Sequence, residues 1–387
     1  MNTEGFNRRK FLQVGSTFAA ATTIAPIAYG ASLLPNEPIT VIDESNKDLR
    51  LFSNENPYGP SKKVLEAITK HTHRVNRYAS FHTYDTDNLK KKIAQINGIE
   101  ENQVILGHGS FEILCMLTRT FGKEKDSIIV PATTFNVTAA FADRIFDHKV
   151  KRVLLTKEMD IDLDATKKNI TKNTKLVYIC NPNNPTGKAL SADKLASFCK
   201  EVASDTCTVA IDEAYIELMN PSKRLDTVQL LKEKYNVLII RTFSKAYGLA
   251  GLRVGYAMGS SETIAKLTHE FFSFGGLIAN PGVVAAMTAL DDNAYIDQYR
   301  KKNSEVITYV EQSLDALGIE YLKSNTNFIL MNVKDAKRFR SEVKQYGIAI
   351  VPGGGTHYPT WVRISIGTLE QMKIFLKALQ QMEWIKA

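Results

Sequence analysis

Between Gln103 and Gly259, seven short apolar runs alternate with helical stretches, and this pattern limits the possible folds more than any other feature of the chain. The runs are "QVILG", "SIIVP", "KRVLL", "LVYIC", "TVAID", "VLIIRT" and "RVGYAMG". Each is apolar throughout, with no polar alternation, as expected of strands buried on both faces of a largely parallel sheet. Amphipathic segments lie between them. In "SADKLASFCKEVA" Ser191 opens a helix and Asp193 sits in its first turn. Strands alternating with helices predict an α/β layered domain.

After about Pro281 the character changes. Helical "VVAAMTALDDNAYIDQYRKKNSEVITYVEQSLDALG" precedes strand-like "FILMNV" and "WVRISIG", and a closing helix begins near Leu369. This reads as a smaller α+β domain. The expected division is an arm over 32–66 that joins the small domain, a large domain over 67–281 and a small C-terminal domain over 282–387. A chain of 387 residues is long enough for both.

Composition narrows the function classes. The net charge is +8, but the basic residues are scattered, which argues against nucleic acid and fits an anionic ligand or small acidic substrates. Cys115, Cys180, Cys199 and Cys207 form no CxxC pair and no Cys/His metal spacing, so no metal is expected. Cys180, inside "LVYIC", reads as a small buried hydrophobe.

The first residues form a separate unit. "NRRKFLQ", with Arg8 and Arg9, leads into a mild, uncharged stretch rich in Ala and Thr that ends in small residues near Ala31. The pattern is similar to a twin-arginine export signal over 1–31, which implies the export machinery as a partner and a periplasmic or secreted protein. A disordered tail with a chance arginine pair is the plainer alternative. No later stretch has the length and apolarity to span a bilayer, so a soluble mature protein is expected.

Three successive strands end in polar residues. "LVYIC" runs into Asn181–Gly187, "TVAI" into Asp212-Glu-Ala-Tyr215, and "VLIIRTF" into Ser244-Lys245. Ligands of open α/β sheets sit at the carboxyl ends of the strands. An acid, a phenol, an amide and an amine make a complementary set there. "LGHGSFEIL" places Gly107, Gly109 and Ser110 between a strand and a helix, where free backbone N–H groups favour an anion. The loop is not GxGxxG, and no acidic partner stands ready for a ribose, which argues against a dinucleotide.

Together, "NPNNPTG", "IDEAYIEL" and "RTFSKAYGLAGLRVGY" resemble the class I/II aminotransferases of fold type I, which use pyridoxal 5′-phosphate, and most of all the histidinol-phosphate aminotransferases. "FSNENPYGPS", "SNTNFILMNV" and "WVRISIG" match as well, so the resemblance covers nearly the whole chain from Leu51. It implies a three-layer αβα fold with a mainly parallel mixed sheet plus the smaller domain, and a homodimer. It also implies transfer of an amino group from an amino acid to a 2-oxo acid.

The same resemblance assigns roles by position. Lys245 matches the lysine that holds the cofactor covalently and shuttles the proton. Asp212 matches the carboxylate facing the pyridine nitrogen, a pairing of about 4 kcal/mol at an effective dielectric near 20. Tyr215 and Asn184 match the groups that hydrogen-bond the cofactor's phenolic oxygen, and Phe135 the aromatic stacked on its ring. Ser110, the Phe111 backbone, Thr242, Ser244 and Arg253 match the phosphate cradle. Arg363 matches the grip on the substrate α-carboxylate, with Asn54 and Asn184 as further substrate contacts. Tyr78 and Tyr84 compete for a tyrosine that reaches the neighbouring subunit's cofactor phosphate.

Plainer readings stand beside these. Lys245 as a surface lysine, Asp212 as a helix cap, Phe135 as core and Arg363 as half of a structural ion pair each need no cofactor. Two stretches depart from the family pattern. Val351 in "AIVPGGG" replaces an arginine that helps bind the substrate phosphate, and "FFSFGGLIANP" carries Gly275-Gly276. Both argue against histidinol phosphate, as does an exported location; the expected substrate is an amino acid, aromatic or basic among the options, with His357 and Tyr358 as pocket candidates. Racemisation, decarboxylation or elimination stays open on the same fold, since the pocket selects which bond breaks.

Overall fold

All seven apolar runs form strands of one sheet: β1 (Val104–His108), β2 (Ser127–Pro131), β3 (Lys149–Val153), β4 (Thr174–Cys180), β5 (Thr208–Asp212), β6 (Val237–Thr242) and β7 (Val254–Met258). The structure is a computed structural model that describes residues 49–79, 85–122, 127–146, 149–272 and 278–385. The Arg8-Arg9 motif, Tyr84 and the Gly275-Gly276 pair lie outside the described residues.

The strand order is β1-β7-β6-β5-β4-β2-β3. β7 runs antiparallel to β1 and β6, and the other pairings are parallel. The sheet is therefore mixed and mainly parallel.

Successive residues of each strand face opposite sides. Val177, Ile179, Val209, Ile211, Val237 and Ile239 enter one apolar cluster, whereas Leu176, Tyr178, Cys180, Ala210, Leu238 and Ile240 enter another. Helices α2 (Ala192–Val202) and α3 (Asn280–Ala289) cover the first face; α1 (Gly109–Phe121) and the helix Ser261–Phe272 cover the second. These are the three layers αβα. As read from the sequence, Ser191 caps α2, its hydroxyl accepting the Lys194 N–H.

The smaller sheet has the order β10-β11-β9-β8, all antiparallel, from β8 (Tyr321–Leu322), β9 (Phe328–Asn332), β10 (Val351–Pro352) and β11 (Trp361–Ser365). Leu49–Arg50 pairs in parallel with Ile348–Ala349, tying the start of the described chain to this domain. The long helical stretch after Pro281 is broken in two, α3 and α4 (Asn293–Ala316). The break serves two cores. Val283, Ala285 and Ala286 of α3 pack under the large sheet, while Val306, Ile307 and Val310 of α4 pack into the small-domain cluster. A joining cluster of Ala214, Tyr215, Leu218 and Ala246 with Ile296, Tyr299 and Phe328 lies between the two. Among the described residues, no helix is long and apolar enough to cross a membrane.

Candidate active site

Because β4, β5 and β6 are adjacent and parallel, their polar carboxyl ends lie side by side, with Cys180 opposite Asp212 and Asp212 opposite Ile240. β1 and β2 end on the same edge, and β7, running the other way, begins there with Arg253 just before it. This brings Gly109–Phe111, Phe135, Asn184, Asp212, Tyr215, Thr242, Ser244, Lys245 and Arg253 to one edge.

Asp212 is buried, its Oδ2 accepting the Tyr178 hydroxyl at 2.9 Å and its Oδ1 the Ala214 N–H at 3.1 Å. Burial pushes its carboxyl up to about 6, against the pull of those two bonds. A positive partner would bring it down again. Lys245 Nζ donates to the Ser53 carbonyl at 2.9 Å. Burial, then the guanidinium of Arg363, lowers its amine to about 8. The surface-lysine reading of Lys245 therefore fails, while Asp212 does accept a following backbone N–H as a cap would, but from within the core.

Tyr215 accepts N–H groups from Asn54 at 3.0 Å and Asn184 at 3.2 Å, which leaves its own hydroxyl hydrogen to donate elsewhere. Its ring stands edge-on to Phe328, with centroids 5.2 Å apart, and burial raises its phenol above the ordinary value. Arg363 reaches the same place from β11. Its Nη1 donates to Asn184 Oδ1 and its Nη2 to the Phe52 carbonyl, both at 2.6 Å. Its Nε is buried and without a partner, the mark of a guanidinium that still has a donor to offer.

The anion cradle lies on the other side. Arg253, with φ 53°, donates through Nη1 to the Ala250 carbonyl at 2.9 Å and lies 3.4 Å from Ser244 Oγ. A Cβ on Gly109 would stand 2.4 Å from Arg253 Nη2, and one on Gly255 would stand 2.3 Å from the Ser110 nitrogen. Glycine at 109 leaves room for the arginine, and glycine at 255 lets the first turn of α1 approach β7 so closely. The Thr242 hydroxyl accepts the Ser244 N–H at 3.1 Å and holds that turn. First-turn N–H groups, a hydroxyl and a guanidinium form a donor set suited to phosphate.

Phe135 is half-buried in the loop after β2 and packs against the cluster on the second face of the sheet. Asn183 joins that loop to Asn184's, donating to the Thr133 carbonyl and accepting from Thr134. Tyr78 is 78% exposed and takes no part in the hydrogen-bonded cluster. His357 is exposed, and Tyr358 packs against Leu330 and Trp361. Val351 pairs in register with Arg363, so both side chains share one face of the small sheet.

Sequence reasoning missed Tyr178, Ser365 and Asn327. Tyr178 hides in "LVYIC", yet a phenol inside a doubly buried strand needs a partner, and that was the available signal. Ser365 Oγ accepts the Asn54 N–H at 2.8 Å and donates to Asn54 Oδ1 at 2.9 Å. No local pattern marks such a long-range pair.

Tested on the Arg363 Nε and the glycine-lined cradle, the pocket fits a ligand with phosphate at one end, an amine-reactive group at Lys245 and a cationic ring atom at Asp212. The family profile described as "Aminotransferase class I and II" matches residues 46–379. The chain is 33% identical over 355 residues to the histidinol-phosphate aminotransferase of Halalkalibacterium halodurans, covering 90% of this chain and 94% of the relative. It is 35% identical over 359 residues to that of Bacillus licheniformis, covering 90% and 97%. The histidinol-phosphate aminotransferase of Sinorhizobium meliloti, solved in complex with pyridoxal-5′-phosphate, superposes with a TM-score of 0.76 at 25% identity, covering 87% and 90%. These names run against the expectation, drawn from Val351 and the Gly275-Gly276 stretch, that histidinol phosphate is not the substrate. The seven-stranded sheet, the lysine and acid at adjacent strand ends and the profile across both domains agree: the chain belongs to the class I and II aminotransferases.

Proposed function

We propose that this protein is a pyridoxal-phosphate-dependent aminotransferase that passes an amino group from an amino acid to a 2-oxo acid. One observation carries the reading. A half-buried amine, Lys245, and a buried acid, Asp212, stand on neighbouring strand ends between an anion cradle and an incompletely satisfied guanidinium, Arg363. When bound, pyridoxal 5′-phosphate supplies an aldehyde that an amine can capture and a ring that accepts electrons.

The chain's own residues then have distinct tasks. Ser244, Arg253 and the first-turn N–H groups of Ser110 and Phe111 hold the phosphate. Asp212 keeps negative charge where the ring nitrogen lies. Tyr215 and Asn184 offer hydrogen bonds at the ring's edge. Arg363 grips the substrate carboxylate. Lys245, near half-neutral at pH 8, takes and returns the proton at the substrate Cα.

For the amino donor, Val351 supports an amino acid with no phosphate on its side chain. It pairs in register with Arg363, so the strand neighbour of that guanidinium is apolar and offers no second cation. The likeness to histidinol-phosphate aminotransferases favours histidinol phosphate as the second reading. A homodimer with Tyr78 reaching the partner site draws support from that side chain's exposure, and export draws support from Arg8-Arg9 alone.

A panel of amino acids and histidinol phosphate, incubated with 2-oxoglutarate or pyruvate, tests the reading. Amino transfer is expected, fastest for a side chain without phosphate. Loss of optical purity or release of CO2 without transfer would overturn it, and a preference for histidinol phosphate would select the second reading. Sedimentation at micromolar concentration checks the dimer.

A further inference from the structure

We infer that Asn327, which touches none of the reacting side chains, is a positioning residue for transamination and acts through the segment Phe52–Asn56. Three consecutive residues of that segment each engage one side chain of the site. The Phe52 carbonyl accepts from Arg363, the Ser53 carbonyl accepts from Lys245, and the Asn54 amide donates to Tyr215. These three side chains belong to β11, to the loop after β6 and to the turn after β5. The segment is therefore the common reference for groups that the two sheets deliver separately.

The backbone conformation makes this possible. Asn54 adopts φ 52°, a left-handed conformation that turns the carbonyls before it and its own side chain toward the same place. Such a conformation costs energy for a residue with a side chain and persists only when its surroundings hold it. Asn327 supplies the hold. It is fully buried just before β9, and its Nδ2 donates to the Asn54 carbonyl at 2.9 Å and the Glu55 carbonyl at 3.2 Å. An NH2 group has two hydrogens; the two carbonyls take the shorter contacts, and the Tyr299 hydroxyl lies farther off at 3.4 Å. Its Oδ1 is buried with no partner, so the side chain serves as a donor only. Ser365, through the Asn54 N–H, and Asn56, which donates to the Ala246 carbonyl and to the Tyr295 hydroxyl, provide separate anchors. Loss of Asn327 therefore loosens the middle of the segment without detaching it.

The inference rests on the aminotransferase reading. Asn327→Asp keeps the shape but places an oxygen against two carbonyl oxygens; Asn327→Ala removes the donor. Both are compared with wild type for kcat and KM, for thermal unfolding, and for the pH midpoint of Lys245 capture. Capture is read by adding pyridoxal 5′-phosphate to the cofactor-free protein, reducing with borohydride and quantifying the labelled peptide. The expected result is a tenfold or larger fall in kcat/KM with folded protein retained. The capture midpoint moves to lower pH, because the ammonium loses its Ser53 acceptor. Combining Asn327→Asp with Arg363→Lys should cost at least threefold less than the product of the single effects.

Wild-type kcat/KM and midpoint in both variants would overturn the inference. So would a loss of activity that only tracks loss of folded protein, with a multiplicative double variant. Absence of any labelled Lys245 in wild type would instead overturn the aminotransferase reading, which keeps the two failures apart.

Discussion

Tyr178 donates its hydroxyl to Asp212 Oδ2 at 2.9 Å, and both side chains are almost wholly buried on adjacent strands. The bond opposes the burial that lifts Asp212 to about 6. Tyr178→Phe keeps the ring and removes the donor. A hydrogen bond to a charged group contributes about 1.5–3 kcal/mol, or roughly one to two pKa units. In the variant, cofactor affinity should therefore start to weaken at a higher pH than in wild type. Absorbance titrations with pyridoxal 5′-phosphate between pH 5 and pH 9 check this. Superimposable profiles would mean that Tyr178 is only packing.

Burial and the guanidinium of Arg363 favour the neutral amine of Lys245. Capture of the cofactor by the unloaded protein should accordingly rise with pH around a midpoint of about 8, well below the roughly 10.4 of a solvated lysine. Lys245→Ala should give no borohydride-fixed adduct and lower turnover by at least roughly 10²–10⁴-fold. Stopped-flow absorbance and peptide mass spectrometry measure the two effects.

Arg363→Ala leaves the substrate carboxylate facing a buried site without its partner, at about 3–5 kcal/mol in kcat/KM. Val351→Arg adds a second guanidinium on the same face of the small sheet. That variant should gain about tenfold toward amino substrates with a phosphate on the side chain, in line with one charge-assisted pairing, and lose activity on neutral ones. Steady-state kinetics on paired substrates decide it, and an unchanged ratio would remove Val351 from the specificity argument.

Glu217, two residues after Tyr215, has its Oε2 buried and unpartnered, and burial lifts its carboxyl to about 7 against the pull of Arg241. This value lies above that of an unfolded glutamate, about 4.3. The folded state therefore binds the proton more tightly, and wild type loses stability as pH rises from about 4.5 through 7. Glu217→Gln carries no such titration. Its stability relative to wild type should improve by on the order of 2–3 kcal/mol between pH 4.5 and 8. Urea unfolding at the two pH values measures the gap, and a constant gap would show that the carboxyl stays in one state.

Part of the site is legible in the sequence. Lys245, Asp212, Tyr215 and Arg253 stand in short contiguous motifs at the ends of apolar runs, and the parallel sheet then sets those ends side by side. The second anchor of each group was not readable. Asn54 meets Tyr215 across 161 positions, and Asn327 meets Asn54 across 273. The helical stretch after Pro281 read as continuous because helical periodicity does not report which core a helix joins, and the break at Leu290–Asp292 sends its two parts to different clusters.

From the sequence alone came the layered α/β class, its seven strands and the kinds of chemical group at their ends. Those follow from local patterns: a strand buried on both faces is apolar throughout, and a strand end facing a ligand is not. The order β1-β7-β6-β5-β4-β2-β3, the reversed β7 that sets Arg253 beside the start of α1, and the placing of Val351 next to Arg363 were decided only by tertiary structure. Each depends on which distant segments pack together, and that choice rests on burial and hydrogen bonding summed over the whole molecule.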